Sequence, residues 1–260
     1  MTYIHNISPI AFSLGAFDVR WYGISYVIGF AYTWYGVRVK ILQLYKHVSP
    51  RFVDDLVSSV GVGVLLGGRL GYVLFYDLHM LCEPWRILQI WNGGMSFHGA
   101  LIGGALASIY GCRRMQIPIL PFLDMIVFHA PLGIFLGRIA NFINSEHIGR
   151  PTDKSWGVVF PTVDGVLRHP SQLYEAFLEG ACLFLIVRMV DAYSSACVRG
   201  RILGYFLIFY GVFRCISEVF RTPDGYFLGI TLGQLLSLPL LVIGLFLVFT
   251  RSSYSHNLTA

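Results

Sequence analysis

The sequence predicts an all-α integral membrane protein with about seven transmembrane helices. Its composition is 55% hydrophobic and only 13% charged, and its mean hydropathy is +0.64. Soluble domains carry about 25% charged residues, so this composition favours a membrane protein. Two further observations are a series of apolar runs near the ~20 residues that a helix needs to cross a bilayer, and short basic connections between those runs.

Seven apolar runs fall at 19–39, 52–76, 94–111, 122–142, 173–190, 202–220 and 231–250. They occupy most of the 260 residues, and no linker, internal repeat or low-complexity tract separates them. We therefore expect a single polytopic membrane domain over residues 1–260.

Basic residues follow the first, third, fifth and seventh runs, so these ends should be cytoplasmic. The N-terminus then lies outside the cell membrane and the C-terminus in the cytoplasm. The cations of residues 138–168 are the exception on the outer face, and we assign them to a site; inversion of part of the topology is the alternative. Because no lysine or arginine precedes Arg20, we expect the first helix to remain as an anchor and not to be a cleaved signal peptide.

The net charge of +5 and the pI near 9.0 are ordinary for a protein whose cytoplasmic connections face anionic lipid. They do not indicate nucleic-acid binding. The 5 cysteines are scattered without a CxxC pair, which indicates neither a disulfide framework nor a metal site. No phosphate-binding or dinucleotide motif is present either, so we expect neither a metal nor an organic cofactor.

Small residues in the second and third runs indicate close helix packing. They are Gly61, Gly63, Gly67, Gly68 and Gly71 in the second run and Gly99, Gly103 and Gly104 in the third. Arg69 lies among these glycines, and we interpret it as a structural residue that pairs with a carboxylate such as Asp124 or Glu175.

Some ionisable residues within the runs are candidates for chemistry. His98 lies near the outer end of the third run, where an ordinary pKa near 6.5 would let it exchange a proton at neutral pH; a hydrogen-bonded packing role is the alternative. Tyr210, Arg214 and Glu218 are spaced at i, i+4 and i+8 and share one helix face. A structural Arg214–Glu218 pair is the alternative there.

The stretch 137–150 places two arginines, two asparagines, a glutamate and a histidine at the end of an apolar run. A charge near hydrocarbon costs at least ~2.5–3.5 kcal/mol on insertion scales unless it is paired or wetted, so this density indicates a polar site. Arg138 and Arg214 both fall near the outer ends of their helices. Two guanidiniums at one membrane level suit a phosphate, and the anion available there is a phospholipid head group.

These residues resemble the motifs of the prolipoprotein diacylglyceryl transferase family. The longest motif is 137–149, and further motifs lie at 20–23, 96–99, 169–175, 210–214, 218–224 and 229–237. The resemblance extends over essentially the whole chain. Ala100 departs from the pattern, because a second glycine is expected after His98.

The resemblance implies a bacterial inner-membrane enzyme whose active site faces the outer side. It would transfer the diacylglyceryl group of phosphatidylglycerol to the lipobox cysteine of a preprolipoprotein signal peptide, forming a thioether and releasing glycerol 1-phosphate. This is the first step of bacterial lipoprotein maturation. The essential residues of the family fall on Tyr22, His98, Arg138, Asn141, Glu146, Gly149, Tyr210 and Arg214.

The chemistry suggests a role for each of these residue types. A cysteine thiol has a pKa near 8.5 and must lose its proton to attack, which suits His98 as the base. Arg138 and Arg214 would hold the phosphate that leaves. Asn141, Tyr22, Tyr210 and Gly149 would bind the head group, and Glu146 would orient an arginine. The alternative in which Arg214 accepts or relays the proton is less attractive because an arginine pKa exceeds 12.

Two other functions remain open at this stage. A transporter or a lipid-binding scaffold also has intramembrane charges and broken helices. Against it, the polar residues cluster toward one face and do not line a path across the bilayer. The second is a transferase that acts on the same lipid with a different acceptor.

Overall fold

The fold is mostly helical, as predicted. The computed structural model describes residues 3–15, 17–89, 94–193, 200–223, 225–227 and 229–256, with only the backbone described for Phe75, Phe97, His98, Phe227 and 251–256. The helices are α1 (Trp21–Leu44), α2 (Pro50–Phe75), α3 (Pro84–Ile87), α4 (Phe97–Arg114), α5 (Ile119–Ile143), α6 (Ser171–Glu175), α7 (Leu183–Ala192), α8 (Arg201–Phe220) and α9 (Leu232–His256). A 3-10 turn covers Leu78–Cys82, and a π-helical segment, Ala176–Cys182, joins α6 to α7.

Each predicted apolar run coincides with a long helix or, for the fifth run, with the continuous segment α6–π–α7. In the described part of the chain, 4 helices are long and apolar enough to cross a membrane, at Pro50–Leu74, Ile119–Ile143, Arg201–Phe220 and Leu232–Thr250. The prediction of a helical membrane protein is supported at this level. The number of spans and the orientation of the termini stay predictions.

Short strands are an addition to the predicted all-α architecture. They are β1 (Tyr3–Ile4), β2 (Ile10–Leu14), β3 (Phe17–Arg20), β4 (Val158–Val159), β5 (Leu167–Arg168), β6 (Tyr226–Phe227) and β7 (Ile230–Thr231). β1 pairs in parallel with β4, which is antiparallel to β5, and β2–β3 and β6–β7 are antiparallel pairs. The strands β1, β2 and β3 precede α1, and the others lie in connections between helices. Their pairing satisfies backbone groups that no helix bonds.

The chain divides into two units, 34–122 and 1–33 with 123–260. In the first, α2 and α4 approach through glycines. A Cβ on Gly67 would lie 2.8 Å from the Cα of Gly103, and one on Gly71 would lie 2.7 Å from the Cα of Gly99. The predicted packing role of these four glycines is confirmed.

Arg69 belongs to the same unit and is buried. Its guanidinium donates hydrogen bonds to carbonyl oxygens of the connection between α2 and α4, at 2.8 Å to Ile87 and 2.9 Å to Gly94. It also donates at 2.6 Å to the Arg86 carbonyl and at 3.2 Å to that of Gln89. The structural interpretation of Arg69 holds, with backbone carbonyls as the partners in place of the carboxylates we expected.

In the second unit, a hydrophobic core forms between α5, α7 and α8. Its buried members are Val127, Leu183, Val187 and Ile202. The α8 helix begins after Gly200, and the carboxylate of Asp124 accepts hydrogen bonds from the backbone N–H groups of Gly200 and Leu203 at 2.6 and 2.7 Å. Asp124 therefore satisfies donors that the start of a helix leaves without intrahelical partners.

An extended segment, 148–152, follows α5 and runs between two other parts of the same unit. Gly149 forms an antiparallel bridge with Arg221, and Pro151 forms one with Arg168. The segment thus ties the end of α5 to the end of α8 and to the residues before α6.

Candidate functional site

Arg138 lies on α5, facing two glutamates of the α6–π–α7 segment. Its Nη1 lies 3.0 Å from Oε2 of Glu175, and its Nη2 lies 2.8 Å from Oε2 of Glu179. Both carboxylates are fully buried, whereas the Arg138 side chain is 17% exposed. Buried carboxylates need such partners because an unpaired charge in a low-dielectric interior is very costly.

Arg214, on α8, shares one of these carboxylates. Its Nη1 donates to Oε1 of Glu175 at 2.7 Å, and its Nη2 lies 2.9 Å from Oε2 of Glu218. The Arg214–Glu218 pair that the i, i+4 spacing indicated is therefore present. Glu175 forms an ion pair with Arg138 through one oxygen and with Arg214 through the other, so it fixes the two guanidiniums relative to each other.

A third arginine completes the group. Arg221 lies at the end of α8, and its Nη1 is 3.7 Å from Oε1 of Glu175. We call Arg138, Arg214, Arg221, Glu175, Glu179 and Glu218 the arginine–glutamate cluster. Its three cations and three anions have formal charges that cancel, which lets them be buried together.

The helix that carries Glu175 and Glu179 is irregular at this point. The π-helical segment begins at Ala176, directly after Glu175, and contains Glu179. Such segments are rare in proteins, and those that occur are often found at functional sites. Gly180 permits close packing of this segment on α5, because a Cβ there would lie 2.6 Å from the Cβ of Phe135.

The α5 helix leads into a strained turn that contains Glu146. Ser145 and His147 have φ values of 57° and 51°, which are in the left-handed region although neither residue is glycine. Each such residue costs on the order of 1–3 kcal/mol, and such strain is concentrated at functional sites. Oε2 of Glu146 accepts a hydrogen bond from Nδ2 of Asn141 at 2.9 Å, and Oε1 accepts one from Asn144 at 3.4 Å.

We expected Glu146 to orient an arginine, and the structure differs. Glu146 lies beyond the end of α5 and is exposed, and among the described residues its side chain accepts hydrogen bonds from Asn141 of α5 and from Asn144. The buried glutamates Glu175 and Glu179 face Arg138 instead.

Gly149 has a packing role that explains its residue type. A Cβ at this position would fall on the carbonyl oxygen of His169 and 2.8 Å from its Cβ. The Gly149 carbonyl accepts a hydrogen bond from Nη1 of Arg168 at 2.9 Å. Arg168 also forms an ion pair with Asp164, and this guanidinium holds the pKa of Asp164 below its ordinary value.

The two candidate tyrosines lie close to these charges. The ring of Tyr210 stacks on Phe206 at 5.8 Å, and the charges of Glu179 and Arg138 act on its hydroxyl. The hydroxyl of Tyr22 is 3.0 Å from that of Tyr26, and it interacts electrostatically with the charges of Glu146 and Arg138. Both tyrosines therefore belong to the same charged region of this unit.

The side chain of His98 lies outside what the structure describes. Its backbone is in the first turn of α4, where Oγ of Ser96 accepts a hydrogen bond from the N–H of Gly99 at 3.3 Å and caps the helix. This residue belongs to the unit 34–122, whereas the other candidates belong to the unit with the arginine–glutamate cluster. The role of His98 stays a prediction.

Sequence reasoning missed several polar residues of this region. The sequence patterns do not identify Glu179 or Arg221 as site residues, and they indicate Glu175 only as a possible partner of Arg69. The i, i+4 spacing of Glu175 and Glu179 inside an apolar run was the signal that could have identified them. In the described residues, no group of three or more His, Cys, Asp or Glu side chains is arranged to hold a metal ion.

Comparison with known proteins identifies the chain's relatives. Residues 9–250 match the family model described as prolipoprotein diacylglyceryl transferase. A phosphatidylglycerol–prolipoprotein diacylglyceryl transferase of Rickettsia typhi is 44% identical over 95% of this chain and 98% of its own length. Relatives of the same name from Wolbachia pipientis and Solidesulfovibrio magneticus are 45% and 46% identical, over 97% and 96% of this chain and 98% and 97% of their own lengths.

These matches cover the helices, the arginine–glutamate cluster and the turn of Glu146. They favour a transferase over the transporter and scaffold alternatives. An identity near 44% over nearly the full length of both chains also shows that the similarity is not confined to one motif. The chain belongs to the prolipoprotein diacylglyceryl transferase family.

Proposed function

We propose that this chain transfers the diacylglyceryl group of phosphatidylglycerol to the thiol of the lipobox cysteine of a preprolipoprotein. The products are a thioether-linked prolipoprotein and glycerol 1-phosphate. One observation carries the proposal: Arg138 and Arg214 meet on the two oxygens of Glu175, so two guanidiniums lie at one site. Family membership supports the choice of lipid donor and protein acceptor.

The paired arginines suit the leaving group of this reaction. The thiolate attacks the glyceryl carbon, a C–S bond forms, and the C–O bond to the phosphate breaks with its electron pair going to the phosphate oxygen. Negative charge therefore grows on the phosphate, and preorganised cations stabilise it. A guanidinium has five N–H donors, and the bonds to glutamate within the described residues leave donors on both arginines for the phosphate.

The thiol proton requires a base, and we assign this role to His98, directly or through a water molecule. The alternative acceptor, Arg214, is less suitable. Glu175 and Glu218 both pair with its charged guanidinium, and loss of the proton would leave these carboxylates without their partner.

The remaining candidates would act on the lipid head group. Asn141, held by Glu146 at 2.9 Å, and the hydroxyls of Tyr22 and Tyr210 supply hydrogen-bonding groups near Arg138. Gly149 would keep the segment after the turn close to the residues before α6. No metal or cofactor has a step in this mechanism.

We further propose seven transmembrane helices in one membrane domain, with the N-terminus outside and the C-terminus in the cytoplasm. The site would face the outer side of the bacterial inner membrane. The partners are phosphatidylglycerol, lipobox signal peptides and the bilayer, with no nucleic acid. The distribution of basic residues in the connections supports this orientation.

Mass spectrometry of a lipobox peptide incubated with purified protein and phosphatidylglycerol tests the function. We expect a diacylglyceryl mass gain on cysteine and the release of glycerol 1-phosphate. The Arg138→Ala variant should lose this activity by about 10²-fold or more. Arg38→Ala is the matched control, since Arg38 forms a half-exposed pair with Asp54, and it should retain activity.

Arg138→Lys then tests how the phosphate is held. Lysine keeps the charge but loses the planar fork, so turnover should fall well below that of the wild type. Near-normal turnover of Arg138→Lys would contradict a bidentate role. A wild-type protein that is folded but transfers nothing to the peptide would contradict the proposed acceptor.

A further inference from the structure

The turn of Glu146 requires support from outside itself. Ser145 and His147 both adopt positive φ values, 57° and 51°. Among the described residues, Gln116 is the other non-glycine residue with a positive φ. Two strained residues on either side of one glutamate would relax to ordinary backbone angles unless neighbouring groups fixed them.

The first two residues of α6 fix this turn. Nε2 of Gln172 donates a hydrogen bond to the Glu146 carbonyl at 2.6 Å, and Oγ of Ser171 donates one to the His147 carbonyl at 3.0 Å. Both side chains have an exposed fraction of 0%. The two donors are therefore shielded from water, and their bonds hold consecutive peptide units of the turn.

The same turn is held at a further point. Nη2 of Arg221 lies 2.8 Å from Nδ1 of His147 and donates to it. Arg221 belongs to the arginine–glutamate cluster, so the turn and the cluster are connected through His147.

These contacts determine where the Glu146 carboxylate lies. With the turn held, this carboxylate accepts from Asn141 at 2.9 Å, and Asn141 lies on α5 three residues after Arg138. A relaxed turn would carry the carboxylate away from Asn141. A displacement of about 1 Å at a reacting site can cost on the order of 10²-fold in rate.

We propose that Ser171 and Gln172 are positioning residues of the reaction, which hold residues 145–147 in the strained conformation that aligns Glu146 with Asn141. Both side chains are buried and donate to backbone carbonyls of the turn, so they act through the turn. This inference rests on the proposed function.

The Gln172→Glu variant is the first test, because it keeps the shape of the side chain but replaces the donor with a carboxylate that repels the Glu146 carbonyl. We expect diacylglyceryl transfer to fall by about 10- to 100-fold at saturating phosphatidylglycerol. Ser145→Gly is then added, because glycine adopts a positive φ without a steric penalty. The double variant should regain about 10-fold or more of the lost turnover.

Rescue by Ser145→Gly separates positioning from general structural support. If Gln172 only stabilised α6, greater backbone freedom at residue 145 would not restore the lost turnover. Ser171→Ala provides a second, milder variant if Gln172→Glu does not fold; it should lower turnover several-fold and also be rescued. Ser108→Ala is the matched control, since Ser108 is equally buried and donates to a backbone carbonyl, that of Gly104, at 2.7 Å within α4.

Two results would overturn the inference: wild-type turnover in folded Gln172→Glu or Ser171→Ala, or loss of turnover that Ser145→Gly does not restore. Failure of the proposed function gives a different result, because the wild-type protein would then transfer no diacylglyceryl group in the same assay.

Discussion

Helices α2 and α4 approach each other through glycines, whereas α5, the α6–π–α7 segment and α8 meet through charged side chains. At the first interface, Gly67 and Gly103 bring the two backbones together, and a Cβ would leave too little space. At the second, Arg138 and Arg214 of different helices bind one buried carboxylate, that of Glu175. Both interfaces join helices closely, but they depend on opposite properties of their residues.

The two interfaces respond differently to substitution. A glycine contact depends on van der Waals packing, and any added side chain would push the two helices apart. A buried ion pair depends on both partners, since the loss of one leaves an uncompensated charge in a low-dielectric environment.

The largest effect should come from Glu175→Gln. It removes the carboxylate that Arg138 and Arg214 share, and the free energy of unfolding should fall by about 3–5 kcal/mol. Unfolding in detergent micelles, followed by circular dichroism, measures this change. Glu83→Gln is the control, because Glu83 pairs with Arg86 at 3.7 Å on the surface. Equal losses in both variants would contradict the buried-pair interpretation.

A smaller loss is expected from Gly67→Ala. The added methyl group would lie 2.8 Å from the Cα of Gly103, so α2 and α4 must move apart, and unfolding free energy should fall by about 1–3 kcal/mol. Gly23→Ala is the matched control, because its Cβ would meet no heavy atom within 4 Å. It should stabilise α1 by up to about 1 kcal/mol, since alanine favours helix. If both variants lose stability equally, the close-packing argument for α2–α4 is wrong.

His5 should make a pH-dependent contribution to the free energy of unfolding. It belongs to neither interface, because it is neither a charged residue of the cluster nor an apolar glycine. His5 is buried between Phe142 and Phe160, and this burial lowers its pKa below 6.5. Between pH 6.5 and that lower value the unfolded chain binds a proton that the folded chain does not. Stability should therefore decrease as the pH falls through this window, by at most about 1.4 kcal/mol per pH unit.

The contribution of His5 to stability is measured by comparing the unfolding midpoints of the wild type and His5→Phe at about pH 7.5 and about pH 5.5. Phenylalanine does not titrate, so the variant should lose less stability on acidification than the wild type. Equal losses in the two proteins would assign the pH dependence to other groups.

The smallest effect should come from Asp54→Asn. Asp54 accepts hydrogen bonds at 2.9 Å from both Trp34 and Arg38, but its side chain is 36% exposed. Exposed ion pairs contribute about 0–1 kcal/mol because water and salt screen them. The unfolding free energy of Asp54→Asn should therefore stay within about 1 kcal/mol of the wild type, and a loss comparable to that of Glu175→Gln would contradict this ranking.

Much of the helical architecture was predictable because each signal is local. An apolar run and a glycine repeat are read along the chain, and the α2–α4 packing followed from them. The Arg214–Glu218 pair was also predictable, since i, i+4 residues share a helix face. The short strands were not predicted, because their partners, such as β1 and β4, are distant in sequence.

The candidate site was predicted only in part. The arginines and the turn of Glu146 were identified from the density of polar residues, and from the family resemblance. The partners of the arginines were not, because Glu175 and Glu179 come from another helix and sequence spacing does not determine which helices face each other. The contacts of Ser171 and Gln172 depend on the backbone angles of a turn 24 or more residues away, and that turn lacks the glycine that usually marks positive φ values.

The sequence by itself determined that this protein is helical, apolar enough for a membrane, and a member of its family, because composition, periodicity and motif order are properties of the chain. Only the tertiary structure decided which glutamates neutralise Arg138 and Arg214 and which side chains hold the strained turn of Glu146. These are contacts between distant segments, and their strength depends on burial, which arises when the helices pack.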